Sequence, residues 1–300
     1  LRNDDGSGNA PMVYMEGGPG GSPLPLFNEE DWATPYSSGR DLILVDQRGT
    51  GFSTPSLNCT EYDGDANDPD ADCHERLANS GIDLTAYNTR ENAADFADLR
   101  TAMGIDEWDV LGVSYGTRLA LAYMRDHPQG IRSVVLDSPF PPNADTAVDE
   151  INMTYSLMHE LFNACAQDAY CDENYPDLEN VFLQTVADLN ENGDEIIGDD
   201  VVAGISNAMQ NHEPIPFIPY TIYEVSNGNL DALTDLQDGN YNRFAPYYQD
   251  ADSISDSEGM YNSVMCRDEY AFDTYDGTET AVSNDIPEEI VAGMLQSSAQ

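Results

Sequence analysis

The sequence predicts an α/β fold, a buried and mostly parallel sheet interleaved with helices and followed by an inserted helical block. Three observations predict it. Over the first 142 residues, short continuous apolar runs alternate with helical patterns, as strands covered on both faces require. Glycine-rich turns close several of those runs. From Ala147 to Asp256 helical periodicity continues without convincing strands.

Met12-Val13-Tyr14-Met15 is the first strand and ends in a glycine cluster; residues 41–45, Asp-Leu-Ile-Leu-Val, form the second. A helix follows with Thr89 as its expected N-cap and Glu91 in its first turn, and it stops near Gly104. Residues 108–111 are the third strand, a glycine-rich turn comes next, and a helix over 115–125 ends at His127-Pro128-Gln129-Gly130. Residues 131–136 are the fourth strand. Helices are expected over 151–166, 178–189, 201–209 and 222–236, with Pro214, Pro216 and Pro219 breaking the middle. The expected organisation is a core over 1–142, a helical cap over 143–258 and a segment returning to the core over 259–300. Four strands are few for an open α/β sheet, so the C-terminal part of the sheet is expected to lie beyond Gln300.

Charge excludes whole classes of partner. Fifty-six acidic residues face 11 basic ones, all arginine, for a net charge of −45. No basic face is available for nucleic acid, and no run of about 18 apolar residues could span a membrane. A carboxylate shell this dense repels itself in dilute buffer and is relieved by salt, whose screening length falls to about 3 Å at 1 M. A high-salt environment is the expectation. The spacings of Cys59 with Cys73 and of Cys165 with Cys171 suit two local disulfides in an oxidising compartment, with free buried thiols as the alternative. Cys266 is left over, and no His/Cys cluster suggests a metal or other cofactor.

The chemistry concentrates at Gly112-Val113-Ser114-Tyr115-Gly116, directly after a buried strand and directly before a helix. Glycines two residues either side let the backbone turn sharply and push the Ser114 hydroxyl out at the carboxyl edge of the sheet. That context makes Ser114 the expected nucleophile. Glu16-Gly17-Gly18-Pro19-Gly20-Gly21-Ser22 follows the first strand and fits neither phosphate-loop spacing. It suits a loop that brings a backbone N–H to an oxyanion, and Gly18 N–H with Tyr115 N–H is the expected donor pair. Taken alone, Asp46-Gln47-Arg48-Gly49-Thr50-Gly51-Phe52-Ser53 reads as a structural loop in which Asp46 and Arg48 satisfy backbone groups.

Together, in this order, GGPGGS, DQRGTGFS and GVSYGTRLAL resemble the proline iminopeptidase and tripeptidyl aminopeptidase family of serine exopeptidases. The similarity extends through residues 133–138, the paired cysteines and Val264-Met265-Cys266-Arg267-Asp268-Glu269, most closely in the secreted, disulfide-bonded tripeptidyl branch. The resemblance implies an α/β-hydrolase fold with a helical cap, and release of one or a few residues from the free amino end of a peptide through an acyl-enzyme. Glu16 departs from the histidine that iminopeptidases usually carry before GGPG, which favours the tripeptidyl branch.

A triad also needs an acid and a histidine. His74, His127, His159 and His212 all read as surface or satisfied histidines, and in the family both partners follow the last two strands. The acid and histidine are therefore expected beyond this chain, together with a partner for Cys266. A free-amine substrate calls for carboxylates, and Glu258, Asp268 and Glu269 are the candidates. The run Asp188-Leu189-Asn190-Glu191-Asn192-Gly193 matches the opening of a calcium loop, but Glu195 and Asp199 stand where an apolar residue and a glutamate belong. Residues 63–72 read as a solvated acidic loop. An esterase or lipase of the same fold and a non-catalytic binding protein are the alternative functions.

Overall fold

A computed structural model describes residues 8–26, 36–63, 68–144, 146–192, 196–210, 212–239, 257–269, 286–287 and 290–291. They fall into two compact units, one within Leu1–Ala144 and Asp250–Phe272, the other within Asp145–Gln249 and Asp273–Gln300.

The first unit is built on four parallel strands, β1 (Met12–Met15), β2 (Leu42–Leu44), β3 (Trp108–Val113) and β4 (Ile131–Asp137), in the order β2-β1-β3-β4. Met12 of β1 pairs with Leu42 on one side and Asp109 on the other. The pleat sends Val13 and Met15 into the larger core with Trp108, Val110, Phe96, Leu119 and Tyr123, while Tyr14 joins Leu42 and Leu111 on the opposite face.

Its helices are α1 (Pro23–Leu26), α2 (Pro69–Asn79), α3 (Thr89–Ala102) and α4 (Tyr115–Asp126), and α11 (Glu258–Val264) returns to it from far along the chain. Helix α2 replaces the end of the expected acidic loop. The Asp68 carboxylate accepts the Ala71 N–H at 3.0 Å, Pro69 supplies the fixed φ of the first turn, and Asp70 and Asp72 lie at the positive end of the helix dipole. On α3 the cap is Asn88 rather than Thr89. Asn88 is the residue still extended, at φ −154°, and its side chain accepts the Glu91 N–H at 3.0 Å.

The second unit is helical: α5 (Thr146–Gln167), α6 (Ala169–Asn174), α7 (Leu178–Asn192), α8 (Gly198–Ala208), α9 (Ile218–Ser226) and α10 (Asp231–Gln237). Phe162 and Phe182 pack with ring centroids 5.5 Å apart and tilted by 42°, in a core that also buries Met158, Val186, Ile205, Ile222 and Ile290. The single helix expected over 222–236 is two, parted where Gly228 takes φ +88°. Asp188 to Asn192 are the last turns of α7, and Asn190 is bonded to Asp199, so these residues form no calcium loop. Gly193 and Glu195 lie outside the described residues.

Two disulfides are formed, Cys59–Cys73 in the first unit and Cys165–Cys171 in the second. The Cys266 side chain lies outside what is described.

Among the described residues of the first unit, Asp109, 1 % exposed, is the most heavily partnered carboxylate. Arg132 donates to both of its oxygens, Arg40 to one, and the Ser133 hydroxyl donates at 2.5 Å. The Arg132 hydrogen bonds, ahead of Ser133 and the charge of Arg40, hold its pKa below the ordinary carboxylate value despite burial. A depressed folded-state pKa gives stability that is present above the unfolded value of about 3.9 and lost as pH falls below it. Asp109→Asn should destabilise this unit by about 2 kcal/mol at pH 7. In denaturant titrations run from pH 7 downwards, that difference should shrink once pH falls below about 3.9. A difference independent of pH would refute the ion-pair account.

Candidate active site

Because β3 lies on the far side of β1 from β2, the chain leaves β1 and β3 in opposite directions. The carboxyl ends of these two strands therefore lie at a topological switch point, the place where open α/β sheets bind ligands. Ser114 follows β3, and the 16–22 glycine loop follows β1.

Ser114 adopts φ 53° and ψ −123°, a conformation that L-residues rarely hold. Its N–H donates to the Asp137 carbonyl at 3.0 Å and its carbonyl accepts from Thr117 N–H, so the turn is fixed from both sides. The residue is exposed and stands at the N-terminus of α4. Glycine is required around it for want of space. A Cβ on Gly112 would overlap the Gly116 carbonyl oxygen, and a Cβ on Gly116 would overlap the Met15 carbonyl. A Cβ on Gly17 would lie 3.1 Å from Ser114 Cβ and 3.6 Å from its Oγ, so the glycine loop runs directly beside the hydroxyl.

That loop is held from several directions. Gly17 N–H donates to Glu16 Oε1 at 2.7 Å, and the same carboxylate accepts the Tyr14 hydroxyl at 3.3 Å. Burial, and then the Glu16 charge, push the Tyr14 pKa upward, so the phenol stays a donor. Gln47 Nε2 donates to the Glu16 carbonyl, and Ser257 N–H donates to the Gly20 carbonyl. Gly18, at φ +100°, and Tyr115 have N–H groups with no hydrogen-bond partner among the described residues.

The 46–53 segment does the structural work its sequence suggests. Asp46 accepts the Ser22 hydroxyl at 2.7 Å and the Phe52 N–H at 2.8 Å, while Arg48 binds Asp95 and the carbonyls of Ala86 and Glu91.

Two of the three carboxylates expected to bind an amine are engaged with main chain. Glu258 accepts the Cys59 N–H at 3.2 Å and Asp268 the Thr89 N–H at 2.7 Å, which ties α11 and its C-terminal extension to the core. The Glu269 side chain lies outside the described residues. Among the described residues nothing hydrogen-bonds Ser114 Oγ. His159 is bonded to Glu179, His74 lies on α2, His127 ends α4, and His212 is exposed. Gln47 and Asn92, buried behind the loop, were not singled out by the sequence as site residues.

Residues 10–170 match the family described as alpha/beta hydrolase fold. Over 133 residues the chain is 33% identical to a proline iminopeptidase of Xylella fastidiosa, covering 43% of this chain and 32% of that protein. It is 30% identical over 176 residues to a tripeptidyl aminopeptidase of Streptomyces lividans, covering 50% and 32%. It is also 29% identical over 156 residues to the serine protease Hip1 of Mycobacterium tuberculosis, covering 44% and 30%. The matches span about a third of the length of these relatives.

Proposed function

We propose, from the premise that this chain belongs to the alpha/beta hydrolase fold family, that it carries the nucleophile of a serine exopeptidase. The observation that carries the reading is the exposed Ser114, turned out at φ 53° on a helix N-terminus with the Gly17 backbone against it. In the reaction Ser114 Oγ attacks the carbonyl of the scissile amide, and the negative oxygen of the tetrahedral intermediate accepts the N–H groups of Gly18 and Tyr115. The amine leaves with a proton, and water hydrolyses the acyl-enzyme. Proton transfer requires a base and an acid that the described residues do not place beside Oγ.

The substrate proposed is a peptide with a free amino terminus, by similarity to the two aminopeptidase relatives. No cofactor enters this chemistry. The two disulfides support a location outside the cytoplasm, the charge of −45 supports a salt-rich one, and no described helix is long and apolar enough to cross a membrane.

A fluorophosphonate should label the intact protein at Ser114, and tripeptidyl and aminoacyl chromogenic amides should be cleaved in preference to N-blocked ones. Labelling with turnover of short acyl esters alone would identify an esterase. No adduct on Ser114 would leave a binding protein.

A further inference from the structure

Resting on the serine-hydrolase reading, we propose that Gln47, oriented by Asn92, is a positioning residue that presets the oxyanion loop after β1. The peptide plane between Glu16 and Gly17 is pinned at both ends. Its carbonyl accepts Gln47 Nε2 at 2.9 Å, and its N–H is held by Glu16 Oε1 at 2.7 Å. The next N–H along the chain is that of Gly18, so the anion-facing group starts from a plane that cannot rotate.

Gln47 is itself fixed. It is 2 % exposed, and its Oε1 accepts Asn92 Nδ2 at 2.8 Å from a side chain that is fully buried. A carbonyl can only accept, so the Glu16 oxygen dictates which end of the Gln47 amide faces it, and the other end must meet a donor. Asn92 is that donor.

The same helical turn reaches the second oxyanion donor. Thr89, three residues before Asn92 on α3, meets the buried Tyr115 hydroxyl through its own at 3.0 Å, while its N–H is held by Asp268. Burial raises the Tyr115 phenol to about 12, so it remains protonated in this contact. One turn of α3 therefore braces the loop carrying Gly18 and the residue carrying the Tyr115 N–H. Both donors must sit about 2.7–3.1 Å from the developing anion, and a displacement of about 1 Å costs on the order of 10²-fold in rate. Neither Gln47 nor Asn92 needs to touch substrate to act this way.

The test is Gln47→Met in the intact protein, a neutral change of similar length that removes both hydrogen bonds. The expected result is a kcat lowered by about 10- to 100-fold, less than deletion of a donor outright, with KM within about threefold. Affinity for a peptide boronate, whose tetrahedral adduct places an oxygen at the oxyanion position, should fall by the same factor as kcat. A lower unfolding midpoint with unchanged kcat, or a change in KM alone, overturns the relay. Should the variant not fold, hydrogen exchange on the wild type decides. The amides of Gly17 and Gly21, whose hydrogen bonds lie within the loop, should exchange equally slowly with and without boronate, and slowing of either by more than about tenfold on binding would mean that the ligand orders the loop. If the wild type shows no turnover dependent on Ser114, the hydrolase reading fails and the relay fails with it; a normal Gln47→Met kcat removes the relay alone.

Discussion

Ser114→Ala should lower kcat of the intact protein on free-amine peptide amides on the order of 10⁵-fold or more, the scale of removing the nucleophile from a serine protease. Its unfolding free energy should change by less than about 0.5 kcal/mol, as exposed substitutions generally do. Ser114 is exposed, and its Oγ makes no hydrogen bond among the described residues. The turn at φ 53° is held by backbone bonds to Asp137 and Thr117, which alanine keeps. Activity and stability should therefore separate cleanly in one variant. Steady-state kinetics beside a denaturant titration measures both, and residual kcat within tenfold of wild type would mean that the nucleophile lies elsewhere.

The second large effect is expected at a residue with no reactive group. A methyl on Gly116 would overlap the Met15 carbonyl oxygen and come within 2.8 Å of its carbon and 3.0 Å of the Glu16 carbonyl oxygen. All three atoms are main chain, so no rotamer change relieves the clash. Helix α4 would have to lift from the end of β1, which parts Ser114 from the loop beside it. Gly116→Ala should cost about 3 kcal/mol or more, and whatever folds should label slowly with fluorophosphonate. Denaturant unfolding gives the first quantity and labelling rate the second. Near-wild-type stability would show that the helix and strand are not packed as closely as described.

The strands could be read from sequence to within one or two residues because each buried run is bounded by glycine or polar residues, as at Gly17 and Gly130. Helix boundaries depended on contacts the sequence does not display. Asn88 and Thr89 are both capping residues, and the choice falls to Asn88 because the Thr89 hydroxyl meets Tyr115, 26 residues away. Helix α2 was hidden by its own carboxylates, since only Cys73 and Leu77 of its eleven residues are buried; the Asp68-Pro69 start was the usable signal.

At the candidate site, the positive-φ turns at Ser114 and Gly18 were legible because they are local. Gln47 and Asn92 were not, because they meet across 45 residues. The main-chain contacts of Glu258 and Asp268 were hidden for the same reason. Their backbone partners, Cys59 and Thr89, lie 199 and 179 residues back along the chain.

The position of β1 inside the sheet sets a timetable for synthesis. Its strand is among the first parts of this sequence to be made, yet one of its two hydrogen-bonding edges waits for Trp108–Val113, roughly a hundred residues later. At about 5–20 residues per second, an apolar segment with an open edge persists for roughly 5–20 s on the ribosome. During that interval Met12–Met15 is a natural target for holding factors, and mutations that delay β3 should show up first as aggregation of nascent chains rather than as a weaker final fold.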